Sequence, residues 1–334
     1  MTRRALTPDL VAVLRSRITA GALRPGQILP QERQLAAQHG YSRQVVRNAI
    51  AALAEEGMLV RLPGRGAIVQ AGRLHHQVSW FGEPGGHLFD DIAAELRRLC
   101  DERSWPFAER RLGAGPSVKR EQVEVAVLQS DLLQRMPWRQ LARVPLLIAA
   151  GLEPHPDGPL PARAWTISGD RRAAGEVAVR HLVGIGCRHL AYVGLSDPRT
   201  RRPYAWEPVW QGMRIACEVQ AMEPRHVDAR QSDLPARLMH LRTAGVDGLV
   251  LDLDWRGTIV YPALRRIGWR IGPGLRIVGV GGTPWAGRLD PVLTTVDLQP
   301  RLIARAVIDL VADPGVQPGS ALLIKPVLRL GASA

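Results

Sequence analysis

Apolar positions in the first seventy residues recur at helical spacing in short runs, each closed by a glycine or a turn. Leu10, Val11, Leu14 and Ile18 return every three or four residues and stop at Gly21. Ahead of them, Thr7-Pro8-Asp9 reads as a capping hydroxyl, a proline at the first helical position and an acid against the positive end of the helix dipole. Leu23-Arg24-Pro25-Gly26 is a turn, and a short helix from about Gln31 to His39 ends at Gly40. Ser42 caps a third helix that reaches about Glu56, before Gly57. Two brief apolar strands follow at 58–62 and 67–70, joined by Pro63-Gly64-Arg65-Gly66. Three helices and a hairpin in this length make a winged helix-turn-helix.

The third helix can be tested by its own geometry. At about 100° per residue, Val46, Ala49, Ile50 and Leu53 share one face, which must be the buried one. Arg43, Gln44 and Arg47 fall on another face, together with Ala51, whose small side chain lets a neighbouring backbone come close. Guanidinium forks and an amide at a helix N-terminus suit the major groove of double-stranded DNA. Arg65, at the hairpin tip between Gly64 and Gly66, is placed to reach a minor groove or a phosphate. The competing reading pairs Arg47 with Glu55 or Glu56 on neighbouring turns.

Charge sharpens this picture. The chain has 334 residues, enough for two domains, and 46% hydrophobic with 22% charged residues is an ordinary globular balance. Its formal net charge is +13, and residues 1–73 hold eleven arginines against four acids. A basic head on a near-neutral body is the footprint of a nucleic-acid-binding module, although charge alone fits a solvated basic surface as well. Lys119 and Lys325 are the only lysines; arginine favours bidentate contacts to phosphate or guanine, and codon bias in a GC-rich genome yields the same excess. Cys100, Cys187 and Cys217 stand far apart without a C-x-x-C pair, which fits a reducing cytosol and argues against a structural zinc. No apolar run approaches 18 residues and Met1-Thr2-Arg3-Arg4 leads into no signal core, so a cytoplasmic, nucleoid-associated protein without a membrane span is expected.

Residues 1–70 therefore form the winged helix and 71–77 a short polar linker, leaving 78–334 as the larger part. His75-His76 in the linker lack an i,i+4 partner and are not expected to hold a metal. Beyond residue 78, strands are expected at 78–82, 123–128, 145–149, 164–167, 189–194, 246–251, 275–280 and 322–328. Helices are expected over 89–100, 174–185, 212–222, 234–243 and 302–311. This α/β alternation with buried Val, Leu and Ile runs implies doubly wound parallel sheets in two lobes, with a ligand at the strand ends between them. Trp206, Trp210, Trp255 and Trp285 lie near strand ends or loops, where an indole either stacks on a flat ligand or simply packs.

Particular residues carry a family resemblance. Ile18-x-x-Gly21-x-Leu23-x-Pro25-Gly26-x-x-Leu29-Pro30-x-Glu32-Arg33-x-Leu35-Ala36 resembles the start of a GntR-family winged helix. Gly40-Tyr41-Ser42-Arg43-x-x-Val46-Arg47-x-Ala49-Ile50 and the wing Gly64-Arg65-Gly66-Ala67-x-Val69 continue the match. The resemblance implies DNA contacts at Arg33, Ser42, Arg43, Gln44, Arg47, Gly64, Arg65 and Gly66. Gln31 stands where the family usually has a capping Ser. In the body, Asp170-x-x-x-x-Gly175-x-x-Ala178-x-x-His181-Leu182 and Pro291-x-Leu293-Thr294-Thr295-Val296 are similar to LacI-family, periplasmic-binding-protein-like effector domains. The combination resembles the arabinose-repressor type of regulator, which implies a homodimer on a palindromic operator controlled by a sugar or sugar derivative. Candidate effector contacts are Phe89, Asp170, Trp210, Asp254, Trp255 and Trp285.

Two departures touch that last expectation. LacI-type domains usually carry an Arg where Val209 stands and an Asp where Gly281 stands, and both groups normally bond sugar hydroxyls. The segment between Leu112 and Val123 is also short for a crossover helix. A ligand-blind dimerisation scaffold behind a constitutive DNA-binding head is therefore the alternative. Enzyme readings fit poorly: Gly279-Val280-Gly281-Gly282 has no following helix expected, and no G-x-S-x-G, H-E-x-x-H or P-loop occurs. A carbohydrate enzyme using Asp170 and Asp254 is a third, weaker option. No cofactor is expected.

Overall fold

The computed structural model describes residues 6–19, 22–23, 27–55, 58–62, 66–69, 77–85, 88–112, 124–141, 144–155, 157–197, 199–200, 202–229, 232–312 and 319–334. Gly64, Arg65, His75-His76 and the segment 113–123 lie outside them.

The apolar stripes of the head close on one another. Helices α1 (Leu6–Thr19), α2 (Glu32–His39) and α3 (Arg43–Glu55) bury Leu10, Leu14, Leu35, Val46 and Leu53 in one core. α1 begins at Leu6, just before the expected Thr7 cap. Gln31 makes no side-chain cap at α2, so its carbonyl alone receives Gln34 N and Leu35 N. Gly40 ends that helix at φ 69°, a left-handed conformation glycine adopts without strain. Strands β1 (Leu59–Leu62) and β2 (Gly66–Val69) pair antiparallel, with Leu59 opposite Val69 and Leu62 opposite Gly66.

The larger part contains two six-stranded sheets. The first has the order β13-β7-β6-β5-β3-β4 and is parallel throughout. Its strands are β3 (Val78–Phe81), β4 (Phe107–Arg110), β5 (Val125–Gln129), β6 (Leu146–Gly151), β7 (Trp165–Gly169) and β13 (Ala321–Ile324). Helix α4 (Leu88–Glu102) packs with α11 (Pro300–Ala312) against this sheet, and short α5 (Trp138–Leu141) follows a 3-10 turn. The second sheet has the order β14-β12-β11-β10-β8-β9, with only β14 antiparallel to its neighbour. It comprises β8 (Leu190–Gly194), β9 (Arg225–Asp228), β10 (Gly248–Leu251), β11 (Arg276–Gly281), β12 (Thr294–Asp297) and β14 (Val327–Arg329). Its helices are α6 (Arg171–Gly184), α7 (Pro208–Val219), α8 (Leu234–Thr243), α9 (Gly257–Arg266) and α10 (Pro284–Arg288).

The chain crosses between the lobes three times: after β7, after β12, and between β13 and β14. The crossings touch. Asp170 N donates to Ile324 O at 2.9 Å, and a Cβ on Gly169 would lie 2.7 Å from Leu298 Cβ. The expected strand over 322–328 is thus two strands in different sheets, because Lys325-Pro326 separates them and proline cannot donate to a ladder. A five-residue helix, α10, does follow the Gly279–Gly282 run, with Pro284 in its first turn, where a missing N–H costs nothing. No helix among the described residues is long and apolar enough to cross a membrane.

Candidate DNA-reading face and interlobe cleft

Ser42 Oγ accepts from Val45 N at 3.3 Å, starting α3 where the chain turns out of the α2 end. From there Val46, Ala49, Ile50 and Leu53 point into the core, which forces Arg43, Gln44, Arg47 and Asn48 outward. Gln44 Nε2 donates to Asn48 Oδ1 at 2.9 Å. Arg47 pairs across to α2, its Nε and Nη2 both 3.2 Å from Glu32 Oε2, rather than with Glu55 on its own helix. That pair is exposed, so it positions the guanidinium and contributes at most about 1 kcal/mol. Arg33 is exposed on α2, and Gly66 opens β2 beside the wing tip.

Between the lobes, the loops after β3, β5, β6, β10 and β11 enclose a cavity of about 350 Å³. Phe89, Asp131 and Leu152 line it from one lobe and Asp254, Trp255 and Trp285 from the other. A second cavity of about 550 Å³ shares Asp131, Leu152 and Leu253 with the first and adds Glu153, Arg171, Trp206 and Glu207. The two are halves of one cleft; the first presents the indoles of Trp255 and Trp285, and the second adds Glu153, Arg171, Glu207, Asp252 and Arg256 among apolar groups. In the second half, the rings of Trp206 and His155 meet edge to face at 4.4 Å.

Asp170 and Trp210 lie apart from this cleft. Asp170 caps α6, accepting from Ala173 N at 2.8 Å, a role its place before a helix explains. Trp210 packs in α7 against Tyr192, 5.5 Å between ring centroids, and His226, at 6.0 Å. Val209 is fully buried and cannot present any group to a ligand.

The charges of the cleft are mostly matched within the protein. Arg171 Nη2 lies 2.5 Å from Glu207 Oε1, and both side chains are buried. Glu207 Oε2 also accepts from Trp210 N at 2.7 Å, so this acid caps α7 as well. Arg256 holds Asp252 through two bonds of 2.8 and 3.1 Å and lies over the Trp255 ring at 4.1 Å. Asp254 accepts from Thr295 Oγ1 at 2.6 Å and from Thr283 N and Oγ1 at 2.7 and 3.0 Å. The glycine run beside it makes room: a Cβ on Gly279 would sit 2.4 Å from Asp254 Oδ1, and one on Gly282 the same distance from Asp297 Oδ1. These glycines seat two carboxylates, which accounts for them without any dinucleotide.

Burial holds the carboxyls of Asp131, Glu153 and Asp254 above the ordinary carboxylate range. Asp131 is open to water on one side although protein surrounds its carboxyl on the others. The three cysteines are free and buried, with thiols pushed up to about 11, so none is poised as a nucleophile. Of the charged lining, only Asp254 was foreseen from the sequence. The signal for the rest was an acid or arginine directly after an apolar strand, as in Leu251-Asp252, or before a helix, as in Glu207-Pro208.

A GntR-type winged helix joined to a periplasmic-binding-protein-like fold is the architecture these features define. Residues 6–69 match the model of the bacterial regulatory proteins, gntR family, and residues 179–333 match the periplasmic binding protein-like domain. HTH-type transcriptional repressor NagR of Bacillus subtilis (strain 168) is 44% identical over 61 residues, 18% of this chain and 25% of NagR. The "Probable fructoselysine utilization operon transcriptional repressor" of Escherichia coli O157:H7 is 29% identical over 147 residues, 41% of this chain and 59% of that protein. The chain thus spans less than two thirds of either relative. A LacI family transcriptional regulator from Arthrobacter sp. FB24, solved in complex with lactose, has the same fold. It superposes with a TM-score of 0.61 at 21% identity, over 77% of this chain and 98% of that one.

Proposed function

We propose that this chain is a cytoplasmic DNA-binding transcriptional repressor whose operator affinity is set by a small molecule held between the lobes. The observation that carries the reading is the N-terminal part of α3, which exposes Arg43, Gln44 and Arg47 while its opposite face is buried. That is the arrangement by which a recognition helix enters a major groove. Repression rather than activation follows the names of the two relatives, both repressors. The two-chambered cleft supports the ligand-responsive reading over a ligand-blind scaffold, since a scaffold has no use for such a cavity.

A homodimer would place one head on each half of a palindromic operator, with Arg33 and the wing residues Gly64, Arg65 and Gly66 on the flanking backbone. The lobes close about the three crossings, and a ligand shifts the heads by as much as it prefers the closed form. Selection of random duplexes by the full-length protein tests the DNA part: an inverted repeat is expected, and enrichment of no sequence refutes it. A screen of small molecules, read by melting temperature and by release from the selected operator, tests the ligand part. Failure of every compound to move both readouts leaves the scaffold reading in its place.

A further inference from the structure

The cleft carries a charge opposite to that of the whole molecule. Asp131, Glu153, Glu207, Asp252 and Asp254 line its two halves, and among the described residues Arg171 and Arg256 are the guanidinium groups that line it. Among the described lining residues, five acids against two arginines leave a formal −3, inside a chain of formal charge +13. Most of these groups are committed. Glu207 is held by Arg171, Asp252 by Arg256, and Asp254 by the two threonines.

Asp131 and Glu153 are the two lining acids held neither by an arginine ion pair nor by the threonines. Glu153 Oε1 accepts from Arg171 N at 3.1 Å, but its Oε2 is buried with no hydrogen-bond partner among the described residues. Beside it, Arg171 is 7% exposed, and its Nε–H is likewise buried without an acceptor. Buried polar groups left in this state cost stability unless something else satisfies them. One orphan acceptor on an acid, one orphan donor on an arginine and an open acid at the junction of the two halves ask for a complementary ligand. Such a ligand has a protonated amine for the carboxylates, an oxygen for the arginine, and an apolar face for the half lined by Phe89, Trp255 and Trp285.

Resting on the effector-cleft reading above, we infer that the effector is an amine-bearing cation. Asp131 and Glu153 determine this specificity, and Arg171 takes an uncharged oxygen of the same molecule. Acids at the junction of the two halves reject a carboxylate or phosphate ligand by direct repulsion and accept its amine counterpart. The charge preference therefore holds whether the frame of the ligand is a ring sugar or an aromatic.

Two matched sets of probes test this with the full-length protein. One set is tryptamine, indole-3-ethanol and indole-3-acetate; the other is glucosamine, glucose and glucuronate. Within a set the ring frame is kept while it carries an amine, only hydroxyls or a carboxylate, and binding is read by titration calorimetry at fixed salt. The amine is expected to bind at least tenfold more tightly than the neutral member in one set or both, with the acid weakest. Asp131→Asn and Glu153→Gln should each remove that preference, read as the ratio of the affinities for the amine and the neutral member of a set. A neutral or acidic member that binds as well as the amine overturns the inference yet leaves a ligand-binding cleft in place. An amine preference that survives both substitutions overturns the assignment to these two acids. Absence of binding by all six also overturns it, and the effector-cleft reading is then decided separately by the operator-release screen.

Discussion

Gly212→Ala is the substitution whose effect the packing determines most sharply. Gly212 on α7 faces Gly175 on α6 where these two helices cross. A Cβ added at Gly212 would lie 1.9 Å from Arg172 O and 2.8 Å from its carbonyl carbon. An ordinary contact begins near 3.4 Å, so the helices must separate by about 1.5 Å, and the obstruction is backbone with no rotamer to yield. The pair covers Tyr192, Val209, Met213 and Cys217, all fully buried, so separation opens a core. Overpacking of this kind costs about 1–3 kcal/mol, and a backbone clash belongs at the upper end. The better helix propensity of alanine returns roughly 1 kcal/mol, which leaves a net loss of about 2. For a body of this size that lowers the melting temperature by about 4–8 °C. Gly184, the last residue of α6, is the control, since nothing lies within 4 Å of its added Cβ. Gly184→Ala should be neutral or stabilising by up to roughly 1 kcal/mol. Thermal melts of both variants followed by circular dichroism decide the matter. If Gly212→Ala melts within 1 °C of wild type, the close approach of α6 and α7 is wrong.

Arg171→Ala strands Glu207 as a buried, unpaired acid and should cost about 3–5 kcal/mol in a denaturant titration, with much of that loss recovered in Arg171→Met/Glu207→Gln. Glu153 has a raised folded-state pKa, so its contribution to stability is full below the unfolded carboxylate pKa and declines as pH rises through the folded one. Glu153→Gln is therefore expected to melt above wild type at pH 7.5, with the gap closing toward pH 4; a gap that is constant with pH contradicts the assignment. Glu32→Gln removes an acid beside the reading face and should tighten operator binding severalfold by fluorescence anisotropy. Tenfold weaker binding would instead mean that Glu32 holds Arg47 in its productive pose.

How much of this was legible in the sequence depended on how strictly local chemistry constrained each stretch. Gly40 closes α2 and the Ser42 cap opens α3, because a short helix needs its own start and stop, and the α8 span read from spacing alone coincides with the structure. Edge strands β4 and β9 were missed, since Phe107–Arg110 and Arg225–Asp228 carry polar residues that an edge tolerates and a central strand does not. α9 was hidden by Pro262, an internal helix breaker held in place by the buried Val260, Tyr261 and Leu264 around it. Within the cleft, Phe89, Asp254, Trp255 and Trp285 were readable as large or charged groups near strand ends. Glu153 and Arg171 were not, because their meaning lies in a contact between two lobes 18 positions apart in the chain, which no local pattern encodes.

The most direct test of the central claim is the ratio of affinities for the selected operator and for a scrambled duplex, measured at one fixed salt concentration with wild type, Arg43→Ala and Arg47→Ala. Each substitution should lower that ratio by about 1–3 kcal/mol, roughly fivefold to 150-fold, because base contacts are lost while phosphate contacts remain. Unchanged ratios in both variants would contradict the assignment of α3 as the helix that reads DNA.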